Sequence, residues 1–466
     1  MTRIRLPDAP ALISPTVSLN RTILTLALPA VVENLLQTAV FFSDTVMIGW
    51  IRDPAALAAV GLAGTLFYLL MTLFGALAVS VTALVARAWG AGDMSRAQAV
   101  AAQSLLLCGV LSVVGTLLLL PLAPDYLRLM GGDADVVRQG SQFIRIVLWS
   151  SVFNFPMMVA NGAMRGAGDT RTPMWNTLVM NSWNIVVSYV LTFGVFGFPA
   201  MGLAGAAIGT TTARAVGGIL AVGALLGVGA LPGARTPLHI PWRAFFAWDW
   251  GVIRRVLQMA IPTAIEGSIA QSGFILFTRM VASLGTATLA AHQIALRVES
   301  LSYMPAWGLA VAATTIVGQA LGAGRMERAE ESIRRTILFS LVFNGLLGLL
   351  FILFSRSIVS IFGSTPEVLN LAALAVAISA AELLGIGIEM ILAGGMRGAG
   401  DTRTPMYVTI AGVLLLRLPV VYFLAITLGW GLAGVWWGTA IDWTGRTILL
   451  WFLFRRGHWK TLKLEE

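Results

Sequence analysis

Charge is scarce in this 466-residue chain: Asp, Glu, Lys and Arg together make up 11% of it, against 57% apolar residues. A soluble globular protein carries about 25% charged residues, and a soluble domain of this size could not cover its surface with so few. Lipid is therefore the natural solvent for most of the chain. Cysteine occurs once, at Cys108, inside an apolar run, which excludes an intrachain disulfide and a CxxC metal or redox site. The sequence has no nucleotide loop, nucleophile motif or metal-ligand cluster, so an enzyme, a cofactor and a bound metal are not expected. The net charge is +9, but the basic residues stand singly between apolar stretches rather than on one dense face. No nucleic-acid partner is expected.

What the chain does have is a repeat. Met164–Met174 reads MRGAGDTRTPM, and Met396–Met406 reads the same, 232 positions later. Gly90-Ala91-Gly92 returns as Gly322-Ala323-Gly324, and Leu28-Pro29 with Glu33 returns as Ile261-Pro262 with Glu266. Gly202-Leu203-Ala204-Gly205 returns as Gly431-Leu432-Ala433-Gly434. The chain is two copies of one unit, a pattern that in an apolar sequence points to a transporter built from internal repeats.

A helix needs about 20 mostly apolar residues to cross a bilayer. The first copy offers 22–48, 57–83, 99–121, 140–161, 174–195 and 202–228; the second offers 252–284, 287–315, 336–354, 368–392, 405–428 and 431–454. The fold expected is all-α and polytopic, with twelve transmembrane helices in two pseudo-symmetric six-helix lobes. The lobes are 1–230 and 251–466, joined by a cytoplasmic linker over 231–250 that is rich in proline and tryptophan. An inside N-terminus puts twenty-one basic residues in cytoplasmic segments, among them Arg3, Arg5, Arg235 and Lys463, and only Arg52, Arg128, Arg138 and Arg356 outside. That bias places both termini in the cytoplasm. Six spans per copy is an even number, so both copies insert with the same polarity.

The repeated motif falls between spans four and five and again between spans ten and eleven. Gly166 and Gly168 suit the close of a helix, and Thr172-Pro173 suits the start of the next, with threonine as cap. Gly398, Gly400, Thr404 and Pro405 do the same in the second copy. Turn chemistry accounts for everything but the charges: Arg165, Asp169 and Arg171, and likewise Arg397 and Asp401, suggest an ion-pair latch that changes between conformational states. Taken together, Leu28-Pro29 with Glu33, Phe42-Ser43-Asp44-Thr45, Leu289-Ala290-Ala291-His292-Gln293-Ile294 and both RGAGDTRTP loops resemble the multidrug and toxic compound extrusion family of secondary transporters. The resemblance covers nearly the whole chain. It implies export of organic cations or other amphiphiles, driven by inward flow of H+ or Na+.

Ionisable groups inside a bilayer are costly, which makes each one a candidate. Glu33 and Asp44 are about three helical turns apart on one face of the first span, and Gln37 joins them. Glu33 has a counterpart in Glu266, whereas Asp44 aligns with Phe277, so the Asp44 carboxyl belongs to the first copy alone. Asp44 leads the ion-coupling candidates, followed by Glu33, Glu266, Glu389 and Glu382. In the family the acid at the position of Asp44 is a leading coupling residue. The family pattern also implies Asn followed four residues later by Asp in span five; here Asn184 keeps the first place and Ser188 takes the second. Asn181, Asn184 and Ser188 offer a hydrogen-bonding network near Asp44. Phe153 and Met157 are candidates to line an adaptable cavity. His292, two turns from Glu299, is either a proton relay or a structural hydrogen-bonding group. Asp442 is read as the structural partner of Arg446, four residues on.

The function expected is secondary active efflux of cationic or amphiphilic compounds by alternating access in exchange for H+ or Na+. The setting is the plasma (inner) membrane, and the partners are small organic substrates and lipid, with the chain acting as a monomer. A lipid-linked sugar flippase of similar build stays open as the alternative. It would need a cationic groove for phosphate, where the strongest polar stripe here is acidic.

Overall fold

The computed structural model describes residues 18–228 and 236–462. Arg3, Arg5, Arg235 and Lys463 lie outside the described residues, as does the first part of the expected linker. Among the described residues the regular structure is helical throughout, as expected where a backbone in lipid must satisfy its own hydrogen bonds.

Twelve helical rods follow one another. In the first copy they are α1 (Leu19–Trp50), α2 (Pro54–Gly90), α3 (Met94–Leu129), the pair α4 (Ala134–Trp149) and α5 (Ser151–Gly166), α6 (Arg171–Phe193) and α7 (Gly202–Leu225). A one-turn helix, α8 (Arg243–Phe246), sits in the linker. The second copy comprises α9 (Trp250–Ser283), α10 (Thr286–Gly322), α11 (Met326–Ser360) and α12 (Pro366–Ala399). Its eleventh rod starts as α13 (Arg403–Ala411), widens into π-helical turns at Gly412–Arg417 and Tyr422–Thr427 on either side of α14 (Leu418–Val421), and is followed by α15 (Gly431–Arg456). Among the described residues, eight rods are apolar and long enough to cross a bilayer by themselves, and the α4–α5 pair, bent by 45°, makes nine. The other three are α6, α9 and α15. They carry the asparagines of α6, Glu266 on α9, and Asp442 with Arg446 on α15, so their composition is diluted by groups that face protein rather than lipid.

The rods overrun the apolar runs that mark them. The run 99–121 lies inside a 36-residue helix, about 54 Å at 1.5 Å per residue. Nothing in the backbone stops a helix where the hydrocarbon ends, so the polar continuations of α2, α3, α10 and α11 remain helical.

The chain divides into two compact units. The first holds Val32–Trp89 and Asp93–Gln258. The second holds Gly90–Gly92, the described residues from Met259 on, and the part of α1 before Val32. Within the first unit the linker is pinned to α3: Gln103 donates to the carbonyls of Ala244 (3.0 Å) and Ala247 (2.7 Å), and Gln98 to that of His239 (2.6 Å).

The two copies repeat their contacts as well as their sequence. Thr82 on α2 donates to the Gly162 carbonyl at 2.9 Å, and Thr314 on α10 donates to the Gly394 carbonyl at 2.8 Å. The motif departs from expectation in two places. Gly166 and Gly398 do not close their helices; they stay helical, and a methyl on either would run into the Thr82 or Thr314 carbonyl. Gly168 (φ +89°) and Gly400 (φ +96°) make the left-handed turn instead. The cap of the following helix is also aspartate rather than threonine. Asp169 accepts from the Arg171 and Thr172 amides at 3.0 Å, and Asp401 from the Thr404 amide at 3.0 Å and the Thr404 hydroxyl at 2.6 Å. A carboxylate is the stronger acceptor and also complements the positive end of the helix.

Candidate functional site: carboxyls buried in each lobe

The motif arginines do not latch onto their neighbouring aspartates. Arg165 Nη2 donates to Glu33 Oε1 at 2.5 Å, and Arg397 Nη2 to Glu266 Oε1 at 2.6 Å. The acid of the Pro-x-x-x-Glu signature and the arginine of the loop signature are thus one ion pair, made once per lobe. Glu33 is fully buried, whereas the Glu266 side chain is 10% exposed and also accepts from the Thr409 hydroxyl at 3.1 Å. The Asp169 side chain, in the loop, is half-buried beside its own helix start, and its partial desolvation raises it above the usual carboxylate range despite the amides it accepts.

Asp44 is held differently. On α1 it is half-buried and accepts from the Thr210 hydroxyl on α7 at 3.5 Å, with Asn184 of α6 in hydrogen-bonding reach. Asn184 in turn donates to Thr210 at 3.3 Å. Asp44 Oδ1 is buried with no hydrogen-bond partner. The charged neighbour whose field reaches Asp44 is Arg214 on α7, and Arg214 spends its hydrogen bond on Ser150 Oγ at 2.9 Å instead. Of the other polar residues expected here, Asn181 donates to the Leu36 carbonyl at 2.6 Å; Asn176, also on α6, donates to that of Gly217 at 3.0 Å, so both tie helices together. Ser188 is buried against Gly209 of α7. Gln37 is exposed. Phe153 is 37% exposed, while Met157 is buried with Met180 against Gly217.

The second lobe separates the acids that share a face of α12. Glu389 lies in the field of Arg446 and Arg397 and near Glu266. Glu382, two turns earlier, lies beside Glu299 of α10 rather than Glu266, with Thr439 of α15 also in hydrogen-bonding reach. The two carboxyls border a small cavity of about 60 Å3 that also touches His292, Tyr303, Arg417 and Trp436. His292 is fully buried between the rings of Phe277 (5.3 Å) and Trp436 (5.5 Å), and neither ring nitrogen has a hydrogen-bond partner. Asp442 takes two bonds from Arg446 (2.8 and 2.5 Å) and an ion pair from Arg417 Nε at 2.8 Å. Arg417 ends the first π-helical stretch. This lobe therefore buries Glu266, Glu299, Glu382, Glu389 and Asp442 against Arg397, Arg417 and Arg446. With every carboxyl ionised, the negative charges outnumber the positive ones, and uncompensated charge in a low-dielectric interior is expensive. Among the described residues no group of His, Cys, Asp or Glu has the arrangement of a metal centre.

Comparison with known proteins decides the family. The MatE family model matches residues 29–190 and again 262–423, one match per repeat. The chain belongs to the multidrug and toxic compound extrusion family. The chain is 32% identical over 444 residues to a probable multidrug resistance protein NorM of Thermotoga maritima, covering 95% of this chain and 93% of that one. It is 29% identical over 437 residues to the multidrug resistance protein MdtK of Yersinia pestis, covering 92% and 94%. A solved structure described as the outward-facing conformation of a multidrug resistance MATE family transporter superposes with a TM-score of 0.88, at 22% identity and covering 99% of this chain. That likeness establishes the fold. A member of this family is a multi-pass membrane transporter and not an enzyme.

Two features of this MATE protein were missed in the sequence. One is Arg214 with Thr210, one turn apart on α7; the signal was there, because Arg214 is the lone charge in α7. The other is the side-by-side placement of Glu299 and Glu382, 83 positions apart in the sequence, which no local spacing reveals.

Proposed function

We propose that the protein is a secondary active antiporter that exports cationic or amphiphilic organic compounds in exchange for H+ or Na+ by alternating access. It works in the plasma (inner) membrane with both termini cytoplasmic, an orientation supported by the surplus of basic residues on one set of loops. The multidrug resistance names of its relatives support the substrate class. The observation that carries the reading is Asp44: a partly buried carboxyl surrounded by neutral donors, with one oxygen unpartnered and no direct ion pair among the described residues. Glu33 and Glu266 are bonded directly to arginine, whereas Asp44 has no arginine bonded to it and feels Arg214 only through its field. Ionised, it favours a cationic cargo. Neutralised by a proton or Na+, it releases that cargo. Cargo and ion then compete for one group, and each shifts the conformational equilibrium only by its preference for one state. The carboxyl surplus of the second lobe gives a second place where protons or Na+ reside.

The test uses purified protein in liposomes under imposed H+ or Na+ gradients. The wild type exports ethidium under the gradient that matches its coupling ion, and Asp44→Asn reduces export to the level of protein-free vesicles while still inserting. Undiminished gradient-driven export by Asp44→Asn would refute the assignment.

A further inference from the structure

Arg214 stands in the middle of a rod otherwise made of small and apolar residues, GLAGAAIGTTTARAVGGILAVGAL. A bare guanidinium in such a place is costly, so its surroundings indicate its use. Its one hydrogen bond runs to Ser150 Oγ, at the 45° break between α4 and α5. Its guanidinium carbon lies 4.9 Å from the centre of the Phe67 ring, which holds the cation by its quadrupole without neutralising it. Among the described residues it forms no ion pair. Thr210, one turn earlier, reaches Asp44, and the positive charge of Arg214 acts on Asp44 across a gap rather than through contact.

The Asp44 site therefore contains a titrating carboxyl and a fixed positive charge. With Asp44 ionised the site has no net charge; with Asp44 neutralised it is a cation. A cargo bearing only positive charge finds a carboxylate whose field is already partly cancelled. A cargo bearing an anionic group beside its cation finds Asp44 for the one and, for the other, a guanidinium with donors to spare, whose charge-assisted bonds are strong. We propose that Arg214 is the charge-selectivity residue of the Asp44 site and sets its preference toward organic cargo that carries an anionic group beside its cation. This rests on Asp44 being the cargo-binding carboxyl. The second lobe has Trp443 at the position equivalent to Arg214, so the device belongs to the first lobe alone.

A matched dye pair tests it: rhodamine 110, which pairs a carboxylate with a cationic ring system, and its methyl ester rhodamine 123, which keeps only the cation. Binding of both to purified full-length protein in detergent, and their export from liposomes, give a selectivity ratio. Removing a partly buried charge that acts on the site shifts that ratio toward the ester by roughly tenfold or more; Arg214→Met and Arg214→Gln both show the shift, and Arg214→Lys keeps most of the wild-type ratio. A purely structural role would weaken both dyes together and leave the ratio alone. An unchanged ratio in Arg214→Met and Arg214→Gln, with both dyes still bound, overturns the role of Arg214 and leaves the efflux reading in place. Failure of the wild type to bind either dye overturns both.

Discussion

Breaking the Glu33–Arg165 pair destabilises the first lobe more than breaking Glu266–Arg397 destabilises the second. In Arg165→Met the Glu33 carboxyl, 0% exposed and bonded at 2.5 Å, is left as an unpaired buried charge. Removing one partner of a buried pair costs about 3–5 kcal/mol. In Arg397→Met, Glu266 keeps the Thr409 hydroxyl at 3.1 Å and its 10% exposure, so the loss falls to about 1–3 kcal/mol, the range for a buried polar group that loses one of its partners. The protein carries its own reporter: Cys108 is its one cysteine and is fully buried. A fluorogenic maleimide therefore labels it as the first lobe opens during a temperature ramp, and Cys108→Ser with Ala313→Cys, at a fully buried site of the second lobe, reports that lobe in the same way. The expected order of labelling temperature is wild type, then Arg397→Met, then Arg165→Met. Adding Glu33→Gln to Arg165→Met recovers much of the loss, because the orphaned charge and not the missing arginine is the source of the cost. An Arg165→Met protein as stable as the wild type, or a double variant no better than the single one, would refute this reasoning.

Two further outcomes follow from the same lobes. Gly166→Ala and Gly398→Ala each push a methyl into a threonine carbonyl of the neighbouring rod and lower the labelling temperature by the equivalent of about 1–3 kcal/mol, whereas Gly345→Ala, which meets open space, gains up to about 1 kcal/mol of helix propensity. Burial raises Asp169 above the ordinary carboxylate range, so its neutral form favours the folded state, and the stability it lends is complete at low pH and declines as pH rises through the folded value. Asp169→Asn, which keeps an acceptor for the helix start, flattens that part of the stability–pH curve measured by Cys108 labelling, while Asp169→Ala also loses the cap, about 1 kcal/mol.

The repeat and the twelve rods were legible because both are linear properties: an eleven-residue identity and long apolar runs need no knowledge of what touches what. The pairing of Glu33 with Arg165 was not read, although its signal was in the repeat. An acid and an arginine retained in both copies are candidates for the same partner, yet the arginine looked satisfied by Asp169, four residues away. Local spacing outweighed a contact across 132 positions, and the amides at the start of α6 won the aspartate. Asp44 was singled out by its lack of a counterpart, and among the described residues it forms no direct ion pair. Arg214 escaped because acids were being weighed and a lone arginine was not. Glu299 beside Glu382 escaped because the pairing of α10 with α12 is a tertiary fact.

The copies share a frame and differ in what they place on it. The matched pieces are structural: the Glu–Arg pair, the threonine-to-carbonyl contact between the second and fourth rods of each lobe, and the aspartate that caps the loop. Among the unmatched pieces are charges with no arginine bonded to them, Asp44 in the first lobe and Glu299 and Glu382 in the second. Phe67, Ser150 and Arg214 of the first lobe have Glu299, Glu382 and Trp443 at the equivalent positions of the second, so one spot in the frame holds a guanidinium on an aromatic face in one lobe and two adjoining carboxyls in the other. Duplication alone would have kept them equal. A frame that holds opposite charge at equivalent positions does not by its own geometry dictate which residues stand there. The Glu–Arg pairs have no such latitude, because a change to either partner strands a charge in the interior.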